Sequence, residues 1–190
     1  VTKEERDLLL AIRAAMSGSY TGDSCIAATA LTKQFLSGRG FDGDGVQVEA
    51  VIYNHPYVLR AQAGQSRTEI LADPSTHSVG IGFNGGIHVV YVGYREDEVA
   101  FVDLSLDQAR RPLKGLPLGP YIATITKPAA RKFMHGAPLT FVGPTKSIIG
   151  YRRVKKETFR RSPNWAERDA DVRLEIINSA AKLLEEVRRE

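Results

Sequence analysis

One cysteine, Cys25, stands in a chain of 190 residues. No intramolecular disulfide framework is open to such a chain, and neither is a cysteine-rich zinc site. Its fold must rest on a packed apolar core, for which one domain over residues 1–190 is large enough. The hydrophobic share of 43% and charged share of 25% suit a soluble globular protein. The apolar runs are short and broken by charges, so no membrane span is expected. Val1-Thr2-Lys3-Glu4-Glu5-Arg6-Asp7 is densely charged, with no apolar secretion core behind it. A lone thiol fits a reducing compartment, and a cytoplasmic location is expected.

The apolar pattern changes period along the chain. Leu8, Leu9, Ile12 and Ala15 recur at helical spacing, which predicts a helix over Lys3 to Met16. Ser17 to Gly22 reads as a loop, and Ser24 as the N-cap of a second helix with Cys25 in its first turn. That helix carries Ile26, Ala27, Ala30, Leu31 and Phe35 and stops at Gly38-Arg39-Gly40. Asp42-Gly43-Asp44-Gly45 reads as a turn; it lacks the trailing carboxylate of a calcium loop, so no metal is expected there. Val46 to Tyr53 alternates as a strand, with Val46, Val48, Ala50 and Ile52 on one face and Gln47 and Glu49 on the other. Asn54 to Pro74 reads as an irregular insertion or flap. Val79 to Phe83, Ile87 to Tyr94 and Val99 to Asp103 predict short strands, with turns at Asn84-Gly85-Gly86 and Arg95-Glu96-Asp97. Pro112 to Pro120 is a loop, and Tyr121 to Thr126 and Ile148 to Val154 are further strands. Val172, Ile176, Ile177, Ala180, Leu183, Leu184 and Val187 line one face of a closing helix. Helices, then an antiparallel sheet, then a helix make an α+β fold. The basic segment and last helix, residues 151–190, are expected as an appendage of the same domain.

The chemistry gathers at three residues. A free cysteine titrates near ~8.5. Helix N-terminal amides with their partial positive charge stabilise a thiolate, and a neighbouring imidazole can hold its proton. An aspartate can then fix the ring tautomer and stabilise the imidazolium. Cys25 at a helix start, with His88 and Asp103 on consecutive strands, can fill these roles in that order. If Val92 pairs with Val99 at the turn, His88 falls opposite Asp103. Backbone N–H groups at the helix start can contribute to an oxyanion hole. His55, His77 and His135 lie in loop-like contexts, and Asp107 is a rival carboxylate. The alternative for each residue is structural: a small buried hydrophobe, a core histidine, a strand-end turn residue.

Ser24-Cys25-Ile26-Ala27-Ala28, Gly86-Ile87-His88-Val89-Val90 and Phe101-Val102-Asp103 together resemble the papain-like superfamily. Within it they are most similar to the transglutaminase-like and arylamine N-acetyltransferase branches, over roughly Gly22 to Gln108. The chain also resembles bacterial and phage proteins of no assigned activity that carry a Cys helix and an Asp-Leu-Ser-Leu-Asp-Gln-like segment. The papain-like resemblance implies helices packed on an antiparallel sheet, with the nucleophile at a helix start. It implies Cys25, His88 and Asp103 as catalytic residues and no cofactor. The chain departs from the pattern in three ways. Ser19, Tyr20 and Ser24 stand where papain-type peptidases carry a Gln. The only tryptophan, Trp165, is far from Cys25 in sequence. Asp23 adjoins the nucleophile and would disfavour a thiolate if its carboxylate faced the sulfur.

Two functions compete. One is thiol-dependent acyl transfer on an amide, ester or thioester, within a protein substrate or a smaller one, as peptidase, amidase, deamidase or transglutaminase-like enzyme. A form that keeps the geometry without turnover is a variant of it. The other is a binding module on the same fold. Tyr151 to Arg161 holds six basic residues, Arg152, Arg153, Lys155, Lys156, Arg160 and Arg161, against Glu157 alone, in a chain of net charge +4. Such a run can engage an acidic partner or nucleic acid through phosphates, with Tyr151 and Phe159 stacking on bases.

Overall fold

The computed structural model describes residues 1–16, 24–165 and 170–189. The loop expected at Ser17 to Gly22, Asp23 and the Ser24 side chain lie outside the described residues. Two helices lead, α1 (Lys3–Met16) and α2 (Ser24–Ser37). A long strand β1 (Asp42–Tyr53) follows, then two short helices, α3 (His55–Gln62) and α4 (Arg67–Ala72). Three strands come next, β2 (Ser78–Ile81), β3 (Val89–Arg95) and β4 (Glu98–Asp103). After two 3-10 turns come β5 (Tyr121–Ile125), α5 (Lys127–Met134), β6 (Leu139–Val142) and β7 (Ile148–Arg153). The described part closes on α6 (Ala170–Val187). None of these helices is long and apolar enough to cross a membrane.

The strands form one curled antiparallel half-barrel in the order β5-β4-β3-β1-β7-β6, with β2 also on β1. β1 organises it. One edge of β1 pairs with β3 through Asp42 to Gln47 and with β2 through Ala50 to Tyr53. Its other edge pairs with β7. The change from β3 to β2 falls near Val48, whose N–H donates to the His88 carbonyl at 2.9 Å. Alternation splits the apolar residues into two cores. Val46, Val48, Ala50, Ile52, Val90, Val92, Phe101 and Tyr151 fill the one with α5. Tyr91, Ala100, Val102 and Ile122 face α1, α2 and α6 in the other. α6 packs on α1 through Ile176 and Ala180, which are buried with Leu8, Leu9 and Ile12.

Several expectations need correction. The Asp42-Gly43-Asp44-Gly45 run is the start of β1, not a turn. Its glycines serve close approach: a Cβ at Gly45 would stand 2.7 Å from the Trp165 ring, and one at Gly43 2.5 Å from the Tyr91 hydroxyl. Asn54 to Pro74 is helical, as α3 and α4. Asn54 caps the first, and Ser66 with Glu69 forms a capping box on the second. The turn at Asn84-Gly85-Gly86 closes no hairpin, because β2 pairs with β1. α5 and β6 were not expected. On α6 the buried stripe is narrower than the apolar pattern, since Val172, Leu183 and Val187 are exposed. Tyr151 to Arg153 complete β7 within the sheet, and two 3-10 turns, Thr158–Arg161 and Pro163–Trp165, follow.

Candidate active site

α2 and β3 meet at the site with matched spacing. Thr29 Oγ1 donates to the Val89 carbonyl at 2.9 Å, and the Cys25 thiol to the Ile87 carbonyl at 3.4 Å. Four residues of helix rise about 6 Å and two of strand about 6.6 Å, so side chains one turn apart reach alternate carbonyls. This clamp sets Cys25, the second residue of α2, beside the residue between those carbonyls, His88. Cys25 sits in a small apolar cluster with Ile26, Val89 and Phe159. Phe159 is held there because Gln47 Oε1 accepts from the neighbouring Thr158 N–H at 2.8 Å.

The β3–β4 register is offset by two residues from the expected one. Val92 lies opposite Phe101 and Tyr91 opposite Val102. His88 and Asp103 are therefore diagonal rather than opposed. An even offset keeps both on the same face, within diagonal reach. His88 Nε2 meets Asp103 Oδ2 at 2.8 Å. Because an ionised carboxylate only accepts, Nε2 carries the proton, and Nδ1 is the ring nitrogen not engaged by Asp103.

Asp103 is fully buried and fully engaged. Oδ2 also accepts from the Tyr151 hydroxyl at 2.9 Å, and Oδ1 accepts from the Ser105 N–H and hydroxyl, both at 3.1 Å. Burial pushes its carboxyl up. The His88 charge and the hydrogen bonds from His88, Tyr151 and the Ser105 N–H outweigh that and hold it below the ordinary value. Burial likewise opposes a charged His88, but the Asp103 charge and hydrogen bond, with the contact to Cys25, raise it to about 10. Tyr151 goes well up through burial and the Asp103 carboxylate, so it stays a donor. Sequence reasoning missed Tyr151 and Ser105. The Asp-x-Ser spacing was a readable signal for Ser105, a local turn in which the carboxylate caps the N–H two residues on. Tyr151 comes from β7, distant in sequence, and only the folded sheet brings it in.

The other candidates lie elsewhere. Asp107 pairs with Arg13 of α1 at 2.7 Å and so anchors that helix. His55 begins α3, and His135 follows α5. His77 donates its N–H to Asn54 Oδ1 at 2.9 Å, and its imidazole is lowered by burial and by Lys114 and Arg111. Asp44 is committed to Lys33 at 2.9 Å and Arg160 at 2.9 Å. No metal-holding group of His, Cys, Asp and Glu occurs among the described residues. In the basic run, Arg152 pairs with Glu49, Arg153 with Glu157, and Arg160 with Asp44 and Glu157.

Ser19, Tyr20 and Asp23, considered as neighbours of the thiol, lie outside the described residues. The amides of the first turn of α2 have no intrahelical acceptors. Comparison of the chain with protein-family models, curated proteins and solved structures finds no match.

Proposed function

We propose that this protein is a thiol-dependent acyl-transfer enzyme of papain-like, transglutaminase-like type, acting through Cys25, His88 and Asp103. The observation that carries the reading is the buried His88–Asp103 pair at 2.8 Å, with His88 next in sequence to Ile87, whose carbonyl meets the Cys25 thiol at the head of α2. A histidine kept only for packing has no need of a fully engaged buried carboxylate, which is costly to bury.

The reactive form is the ion pair in which the Cys25 proton has passed to His88 Nδ1. The sulfur attacks the carbonyl carbon of an amide, ester or thioester, forming the C–S bond as the carbonyl electron pair moves to oxygen. First-turn amides of α2 stabilise that oxyanion. Collapse expels the leaving group, which takes the proton from His88 Nδ1 and leaves a thioester on Cys25. Water or an amine then attacks, gives its proton to His88, and collapse returns the thiolate. Asp103 stays ionised throughout and stabilises the imidazolium.

Intact-mass measurement after incubation with simple thioester donors tests this reading. An acyl adduct should form on the wild-type chain, be absent from Cys25→Ala, and discharge faster with added amine if transfer prevails over hydrolysis. No adduct, or an equal adduct on Cys25→Ala, contradicts it.

A further inference from the structure

A second feature lies on the sheet face that Cys25 covers. Along β1 that face carries Gln47, Glu49, Val51 and Tyr53, and Gln47 pairs across to Val89, a neighbour of Cys25. At Val51 the face is bare, because both cross-strand partners, Gly80 on β2 and Gly150 on β7, lack side chains. A cleft of about 350 Å³ opens there. Phe83 forms one wall, lying so close over Gly80 that a Cβ would stand 3.0 Å from its ring. Tyr53 and Tyr57 form the other, with ring centroids 4.5 Å apart.

That second wall is held firmly. Asn54, buried just before α3, donates to the Ser75 and Lys114 carbonyls at 2.8 and 2.9 Å. It accepts from the Tyr57 and His77 N–H groups at 3.2 and 2.9 Å. Arg67 of α4 lines the cleft, as does Ser78, and among the described residues no acidic side chain does. Arg67 forms no ion pair among the described residues, whereas Arg60 on the neighbouring helix is paired with Asp73.

From these observations we infer that the cleft binds an aromatic ring carrying a carboxylate. The ring lies between Phe83 and the tyrosines, and the carboxylate meets the Arg67 guanidinium. The role of the cleft as the anchor of an acyl substrate rests on the acyl-transfer reading above; the binding itself does not. Val48 is level with His88 through their backbone bond. Val51 lies three residues further on, which at a strand rise of about 3.3 Å is about 10 Å. An extended peptide spans that distance in about three residues. The substrate class is thus an acyl donor whose reacting carbonyl lies about three residue lengths from an aromatic carboxylate terminus.

The test is a binding titration on the full chain carrying Cys25→Ala, followed by amide chemical shifts, with N-acetyl-L-phenylalanine and N-acetyl-L-phenylalaninamide as probes. The acid should bind about tenfold tighter than the amide and shift Val51, Tyr57 and Gly80. Arg67→Gln, an exposed change, should remove that preference. Equal affinities, an unchanged preference in Arg67→Gln, shifts elsewhere, or no binding overturns the proposal. A second arm compares phenylacetate with acetyl-Gly-Gly-Phe. Tighter binding of the peptide assigns the group to a peptide C-terminus, and equal binding assigns it to a free aryl acid. The Cys25→Ala background makes the result independent of thiol chemistry, so the cleft and the acyl transfer stand or fall separately.

Discussion

Asp103 holds four hydrogen bonds in a place water does not reach. Its pairing with His88 links stability to pH with a definite sign. His88 is raised to about 10, so its contribution is complete below the unfolded value near ~6.5 and fades as pH rises toward 10. Asp103 is lowered, so its contribution is complete above the unfolded value near ~3.9 and is lost as pH falls through the folded one. In Asp103→Asn the sign for His88 reverses, because burial alone disfavours the imidazolium and stability then gains as the ring loses its proton. Urea denaturation between pH 6 and 9 should show a falling contribution in the wild type and a rising one in the variant. Parallel slopes would contradict the pairing. Tyr151→Phe removes a buried hydrogen bond to a charge and should cost about 2 kcal/mol in the same assay, with the Asp103 carboxyl moved upward in NMR. A full-strength Asp103 pair in that variant, with no loss of stability, would show that the hydroxyl is idle. The His88–Asp103 pairing was legible from two neighbouring strand-like runs, although His88 itself falls one residue before β3. Tyr151 was not, because a tyrosine in an alternating strand looks the same whether its hydroxyl meets water or a carboxylate.

At the scale of elements, α3 and α4 show local chemistry outweighing composition. Asn54 to Pro74 looks polar and irregular, yet Asn54 before Pro56 and Ser66 before Glu69 are helix-start signals in the sequence itself. Asn54 does more than cap α3, since it also ties the helix to the segments around Ser75 and Lys114. Asn54→Ala should therefore cost about 2–4 kcal/mol, more than the ~1 kcal/mol of an ordinary cap. A loss of only the smaller amount would mean that the links to Ser75 and Lys114 contribute nothing. The glycines of β1 mislead in the opposite direction. Asp-Gly-Asp-Gly has turn composition, and only the packing of Tyr91 and Trp165 explains why a strand requires residues without side chains there. On α6 the apolar period was readable, but not how narrow a stripe α1 and α2 cover.

At the scale of the molecule, the α+β order and the antiparallel sheet were legible from the change of period along the chain. The curl was not, nor was the split pairing on one edge of β1. That split matters, because it places His88, just before β3, at the break between the part of β1 paired with β3 and the part paired with β2. The two cores hold the sheet from both sides while the head of α2 brings the thiol to the break. In such an arrangement Cys25 is 4% exposed. A thiol buried only for packing is shielded by folding, whereas a thiol paired with an imidazolium is activated by it. The direct measurement is the rate of Cys25 alkylation by iodoacetamide at pH 6, in the native chain, in the same chain unfolded in urea, and in native His88→Ala. The account predicts that the native thiol reacts at least about tenfold faster than the unfolded one, and that His88→Ala abolishes the advantage. A native thiol slower than the unfolded one, and indifferent to His88→Ala, would make Cys25 a core residue and contradict the account.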